Sequence, residues 1–258
     1  MKWIAFSHEG RAGFGRLAEH EIEVCDGNLF AGARPTGEMI PLADVVIDLP
    51  CRPSKLIALW NNFHAAAAKQ GITIPPDPLF FVKPANTYRP SGATITIPAA
   101  AGKTIFEAEL GIVIGKAARD VAEAEAGSHI FGYTCVNDVT SLPILKADPS
   151  FAQWTRSKGL DGFGPFGPVI ATGLDPAKLT IRAVVDGVER QNYPVADMVF
   201  PAAKLVSMIS RGMTLEPGDI ISCGTSLGAG TIKPGMTVEV AIDGIGVLSN
   251  RFEEQLGR

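Results

Sequence analysis

The sequence predicts a mainly β protein with short helices, divided into a small N-terminal β subdomain (1–52) and a larger domain (53–258). Three observations carry this. Glycine (28) and proline (19) together exceed a sixth of the 258 residues, which demands many turns. The apolar runs are short and bounded by turn residues, as strands require. Only a few windows show helical spacing, and 46% hydrophobic against 19% charged residues is enough for a substantial core.

The elements follow in order. Trp3-Ile4-Ala5-Phe6 and Val45-Val46-Ile47-Asp48-Leu49 read as strands, and Pro50 and Pro53 then punctuate the chain. Lys55–Leu59 opens the larger domain as an apolar strand. His64–Lys69 (HAAAAK) is alanine-rich and helical, stopped by Gly71. Strands follow at Leu79–Val82, Thr94–Ile97 and Leu110–Ile114, with a short helix over Val121–Ala126 and an amphipathic one over Lys204–Arg211. Pro217-Gly218-Asp219, Pro234-Gly235 and Asp243-Gly244 mark turns in a strand-rich final stretch.

Charge narrows the function classes. A net charge of −4 and a pI near 5.6 argue against a nucleic-acid partner, which calls for a basic face. No apolar run reaches the eighteen or so residues that span a bilayer, and MKWIAFSHEGRAGFG lacks the apolar segment of a signal peptide. Cys25, Cys51, Cys135 and Cys223 are scattered without metal-type spacing. Free buried thiols in a reducing cytoplasm are expected.

Chemistry concentrates at Phe106-Glu107-Ala108-Glu109-Leu110-Gly111-Ile112-Val113-Ile114-Gly115. On a strand, Glu107 and Glu109 share one face, with Cα atoms about 6.6–7 Å apart, and can converge on one point. They repel unless a cation or a proton lies between them. Asp138 closes a second apolar strand, Gly132-Tyr-Thr-Cys-Val-Asn-Asp138. Three carboxylates without a cysteine or histidine partner form an oxygen-donor set for Mg²⁺ or Mn²⁺. The plainer alternative makes Glu107 and Glu109 the solvated face of a half-exposed strand.

Read together, several separated segments keep a common order. They are Glu107-Ala-Glu109-Leu-Gly-Ile-Val-Ile-Gly, Gly132 to Asp138, and Lys158-Gly-Leu-Asp161-Gly-Phe-Gly-Pro165-Phe-Gly-Pro168. Asp186 to Gln191, Leu215 to Asp219, Gly224-Thr225 with Gly228 and Gly230, and Asp243 to Gly246 follow. Over roughly residues 55–252 the chain resembles the fumarylacetoacetate hydrolase superfamily. The Asn-Asn-Phe-His64 and Val82-Lys83-Pro84 segments resemble its single-domain isomerase/decarboxylase members.

The resemblance implies a mixed β-roll or sandwich assembled as a homodimer, with Mg²⁺ or Mn²⁺ held by Glu107, Glu109 and Asp138. It implies a small 2-oxo acid as substrate, reacting by C–C hydrolysis, decarboxylation or keto–enol isomerisation. Lys158 is then the catalytic cation, and Lys83, Gln191, Gly224 and Thr225 bind substrate. Taken alone, Lys158 reads as a surface lysine and Gly224–Gly230 as a flexible turn.

One departure bears on the reaction. Hydrolytic and decarboxylating members carry a histidine followed three residues later by glutamate. Here His64, the catalytic acid–base candidate, is followed by Ala67 within four alanines, so its orienting carboxylate is missing. His64 is equally suited to capping or packing. The expectation is therefore an isomerase (tautomerase) or decarboxylase of aromatic-compound catabolism rather than an acylpyruvate hydrolase, the runner-up. A non-catalytic β domain stapled by calcium is the rival of another class.

Overall fold

Strand Ala108–Ile114 is buried along its whole length in the computed structural model, which describes residues 1–255. Leu110, Ile112 and Ile114 face one core and Val113 the other; an unbroken apolar run is what a strand covered on both faces needs. It pairs antiparallel with Ile130–Asn137 on one side and with Ile220–Ser222 on the other. Ile220–Ser222 lies parallel to Leu56–Trp60, and Leu79–Lys83 forms the sheet edge beyond it.

In the opposite direction Ile130–Asn137 leads to Gly164–Ala171, then to the N-terminal strands Lys2–His8, Arg11–Ala18, Glu21–Asp26 and Arg34–Pro41. Lys2 stands opposite Ala171 and Trp3 opposite Ile170, so the N-terminal meander extends the same twelve-stranded sheet.

A five-stranded sheet packs on this one. Its strands Thr180–Val185 and Thr237–Ile242 alternate half-buried and buried residues. Ile181, Ala183, Val185, Val238, Val240 and Ile242 share the core of Leu110 and Ile112, which makes a sandwich. A third sheet sets Thr104–Phe106 between Thr140–Ser141 and Gly230–Ile232.

The mainly β expectation with short helices is met, with shifted helix boundaries. Helix α1 spans His64–Gln70 and ends at Gly71, whose φ of 65° lets its N–H reach the Ala67 and Ala68 carbonyls. Helix α2 covers only Glu123–Ala126. Helices α3 (Leu142–Leu145) and α4 (Trp154–Lys158) went unanticipated, because four or five residues are too few to show a helical period. Helix α5, expected over Lys204–Arg211, spans Ala202–Ile209 and starts directly after Pro201. A proline suits a helix entrance because it has no N–H to leave unpaired.

The reading of Glu107 and Glu109 on one continuous strand is corrected. The chain breaks at Glu107, between Thr104–Phe106 of the small sheet and Ala108–Ile114 of the large one. The Glu107 N–H donates to Asn137 Oδ1 (3.1 Å) and its carbonyl accepts from the Asp138 N–H (2.9 Å). Those bonds replace ladder pairing and turn Glu107 out of the sheet.

All four thiols are buried and free. Burial pushes Cys51 and Cys135 up to about 12 and Cys223 well above the ordinary thiol range. Ellman's reagent should therefore leave the native protein unmodified and titrate four thiols per chain in denaturant. Rapid native modification of even one would contradict this packing.

Candidate metal centre

Four elements bring the ionisable groups together. Glu109 lies on the central strand, Glu107 at the break before it, and Asp138 directly after Ile130–Asn137. Lys158 ends α4, and Lys83 ends the edge strand Leu79–Lys83. One carboxylate oxygen from each of Glu107, Glu109 and Asp138 lies within 4.8 Å of the other two. Glu109 is 1% exposed and Asp138 0%, which excludes the solvated-face reading.

Lysines compensate most of this charge. Lys158 Nζ donates to Glu107 Oε2 and to Asp138 Oδ2, the latter at 2.6 Å. Lys83 Nζ donates to Asp138 Oδ1 (2.6 Å) and to the Lys158 carbonyl (2.7 Å). Burial alone raises a carboxyl pKa, but Lys158 and Lys83 outweigh it at Asp138 and hold that group below its usual range. Burial likewise disfavours the Lys158 ammonium, yet Asp138, Glu107 and Glu109 keep its pKa above that of an ordinary lysine. Lys83 goes the other way: complete burial lowers it, only partly offset by Asp138.

Glu109 has no lysine hydrogen-bonded to it among the described residues. Desolvation first, then the Asp138 charge, raise it well above the carboxylate range. Its Oε2 accepts from Ser222 Oγ (2.5 Å) and the Gly224 N–H (2.9 Å). Glu107 Oε2 also accepts from Thr140 Oγ1 (2.7 Å). With all five groups ionised, three carboxylates against two ammoniums leave one net negative charge, and an oxygen-only donor set suits a hard divalent cation. The Lys158 ammonium already bridges Glu107 and Asp138, so positive charge at this point is what the cluster is built to accept.

The centre opens to a cavity of about 430 Å³ whose lining includes Glu107, Glu109, Thr140, Lys158, Thr225 and Ser226. Such a volume suits a small molecule. Thr225 Oγ1 donates to the Ala108 carbonyl (3.0 Å) and accepts from Gln191 Nε2 (2.9 Å).

Three expected substrate binders hydrogen-bond within the protein. Gln191 spends its amide inside the protein: Oε1 accepts from the Ala108 N–H, and Nε2 donates to Thr225, Ser226 and Leu227. Gly224 donates its N–H to Glu109. Lys83 lies wholly buried behind Asp138.

His64 stands apart from the cavity. It is exposed and is not among the lining residues. The helix turns Ala66 and Gln70, four residues apart, toward the cavity, while Ala67 is 2% exposed in the core. The Ala65 N–H donates to Asp197 Oδ2 (3.0 Å), so the start of α1 is capped from another segment.

Ser222, Thr140 and Ser226 were missed. Ser222 and Ser226 flank the Gly224-Thr225 motif, and Thr140 follows Asp138 by two residues; proximity to those motifs was the signal. Ser226 is 5% exposed, and its buried hydroxyl has no hydrogen-bond partner among the described residues, so it is free to meet a guest in the cavity.

A two-sheet sandwich holding a buried, oxygen-only carboxylate triad at the floor of a cavity defines a class of β protein suited to a hard cation and a small anionic ligand. A family model described as fumarylacetoacetate (FAA) hydrolase C-terminal matches residues 55–253, and one described as Rv2993c-like, N-terminal matches residues 1–47. The chain belongs to the fumarylacetoacetate hydrolase family.

A solved 2-hydroxyhepta-2,4-diene-1,7-dioate isomerase from Mycobacterium marinum superposes with a TM-score of 0.92 at 34% identity, covering 100% of both chains. Maleylpyruvate hydrolase from Sphingobium sp. SYK-6, in complex with manganese(II) and pyruvate, gives 0.81 at 26% identity over 99% of this chain and 100% of that one. A mitochondrial oxaloacetate tautomerase of Arabidopsis thaliana is 37% identical over 195 residues, 74% of this chain and 87% of that protein. Isomerase, hydrolase and tautomerase chemistry thus all occur among similar proteins. No helix among the described residues is long and apolar enough to cross a membrane.

Glu109→Gln should abolish Mn²⁺ binding in a calorimetric titration while the circular dichroism spectrum stays that of the parent. Since Glu109 holds its proton above the ordinary carboxylate range and a ligand must be deprotonated, Mn²⁺ affinity should fall as pH falls through that raised range. Undiminished binding by the variant would remove Glu109 from the ligand set.

Proposed function

We propose that the protein is a divalent-metal-dependent enzyme that interconverts the keto and enol forms of a small 2-oxo acid, or decarboxylates one. The observation that carries this reading is the make-up of the cavity. Glu107, Glu109 and the protonated Lys158 line its floor, Asp138 converges on the same point from the buried side, and α1 contributes alanine and glutamine where hydrolysis would call for a base acting on water.

Glu107, Glu109 and Asp138 would hold Mg²⁺ or Mn²⁺. A cation held there would supply Lewis acidity toward substrate oxygens. The rest belongs to the chain. Lys158, fixed by Glu107 and Asp138, keeps its proton and directs positive charge at developing oxyanion character. Ser226 offers a free hydroxyl, and Gln191 and Tyr193 hold the Thr225 loop against Ala108; Gln191 does so through its amide and Tyr193 through its phenol. Lys158 and Lys83 position Asp138 between them.

A structural calcium staple has no use for a 430 Å³ cavity beside the cation, which favours the enzyme reading. Homodimerisation is part of this proposal, supported by Leu79, Phe80 and Val82, which stand 37–46% exposed on the sheet's edge strand.

Side-by-side assays with Mn²⁺ test the reaction. Tautomerisation or decarboxylation of a 2-oxo acid should outpace hydrolysis of maleylpyruvate or fumarylpyruvate by at least the ~10²-fold that a positioned general base is worth. Ala66→His with Gln70→Glu, placed on the cavity face of α1, should raise hydrolysis. Efficient hydrolysis by the unmodified protein, with little tautomerase or decarboxylase activity, would establish the hydrolase alternative instead.

A further inference from the structure

The cavity has two chemically different halves. Its ionic floor is the carboxylate–lysine cluster. Away from that floor the lining is mainly apolar, with Leu59, Trp60, Ile105, Leu142, Leu145 and Trp154, and its polar members there are Asn61, Gln70 and Lys146. Four of them lie close in sequence to the residues of the floor. Ile105 stands opposite Thr140 in the small sheet, two residues before Glu107. Leu142 and Leu145, three residues apart on α3, follow Thr140 and Ser141 in the chain. Trp154 lies one turn before Lys158 on α4, so the helix that delivers the cation delivers an indole about 5–6 Å away.

This wall is built in place. Trp154 stacks on Phe81, with centroids 5.6 Å apart and planes at 18°, and meets Trp60 at 5.5 Å. Leu59 is buried, while Trp60, Ile105, Leu142, Leu145 and Trp154 are half-buried, leaving surface for a guest to cover.

Cations on the lining number two. Lys158 is committed to Glu107 and Asp138, whereas Lys146 is exposed at the end of α3. An exposed lysine is a weak partner for a carboxylate. A second substrate carboxylate would instead lose its hydration against leucine and tryptophan, with no buried donor on that wall to replace it.

We infer that the substrate is a 2-oxo acid whose tail is apolar, a branched aliphatic or aromatic group, rather than a dicarboxylate, and that Leu142, Leu145 and Trp154 select it. The inference rests on the proposed metal-centred reading, because the 2-oxo acid head must lie at the cluster for its tail to reach these residues. Selection by such a wall is worth about 10–200-fold per methylene-sized difference.

The test uses the Mn²⁺-loaded protein and calorimetric binding of three probes. Oxalate reports the head site alone. 2-Oxoglutarate and 5-methyl-2-oxohexanoate share head and spacer and differ in ending with a carboxylate or an isopropyl group. The expected result is that oxalate binds and that 5-methyl-2-oxohexanoate binds at least tenfold more tightly than 2-oxoglutarate. Leu142→Arg should shrink or reverse that ratio, and Lys146→Ala should leave it unchanged.

If oxalate fails to bind, the metal-centred reading fails and takes this inference with it. If oxalate binds but 2-oxoglutarate matches or exceeds the branched acid, the head site stands and the apolar-tail inference is overturned. A loss of 2-oxoglutarate affinity in Lys146→Ala would then assign its tail carboxylate to Lys146.

Discussion

Two ammonium groups and three carboxylates share the buried centre of this molecule, and their mutual compensation constrains everything around them. Desolvating any one of these charges alone costs several kcal/mol. The fold meets that cost by bringing Lys83 from the sheet edge, Lys158 from α4 and Asp138 from the end of a central strand into direct contact. Glu109 receives hydroxyl and amide donors from Ser222 and Gly224 instead. The break at Glu107 belongs to the same solution. A continuous strand would keep Glu107 in the ladder, whereas the bonds to Asn137 and Asp138 free its carboxylate to meet Lys158.

The sequence made the reacting groups legible but not their support. Acidic residues in apolar surroundings stand out at Glu107, Glu109 and Asp138, since a buried carboxylate needs a stated reason to be there. Gly71 marks a helix end because an αL residue is cheapest as glycine. Lys83 and Gln191 drew attention, yet their work is internal bracing, which depends on partners 55 and 83 residues away. His64 misled for a different reason. On a seven-residue helix, a shift of two positions turns a side chain about 200° around the axis, and two positions separate His64 from the cavity-facing Ala66. Sheet order was also out of reach: the parallel pairing of Leu56–Trp60 with Ile220–Ser222 leaves no local trace.

On the proposed reading, head and tail of a ligand fall to separable parts of one cavity. The polar floor is assembled from long-range hydrogen bonds and salt bridges, which fix geometry and oppose change. The wall of Leu142, Leu145 and Trp154 stands on two short helices, whose side chains can vary in size without disturbing a charge. Isomerase, hydrolase and tautomerase names all occur among similar proteins.

The pairing of Leu56–Trp60 with Ile220–Ser222 also sets an order of events during synthesis. The N-terminal meander consists of neighbouring antiparallel strands and can close as soon as it leaves the ribosome. Its docking strand, Gly164–Ala171, arrives about 120 residues after the meander's last residue, Pro41. Glu109 gains its last donors only when Ser222 and Gly224 emerge. Until then the nascent chain carries a carboxylate cluster it cannot shield, so the cluster is completed late and only in a finished sandwich. Contacts this distant in sequence make slow folders, and a chain stalled before residue 220 would expose an apolar central strand with one edge unpaired.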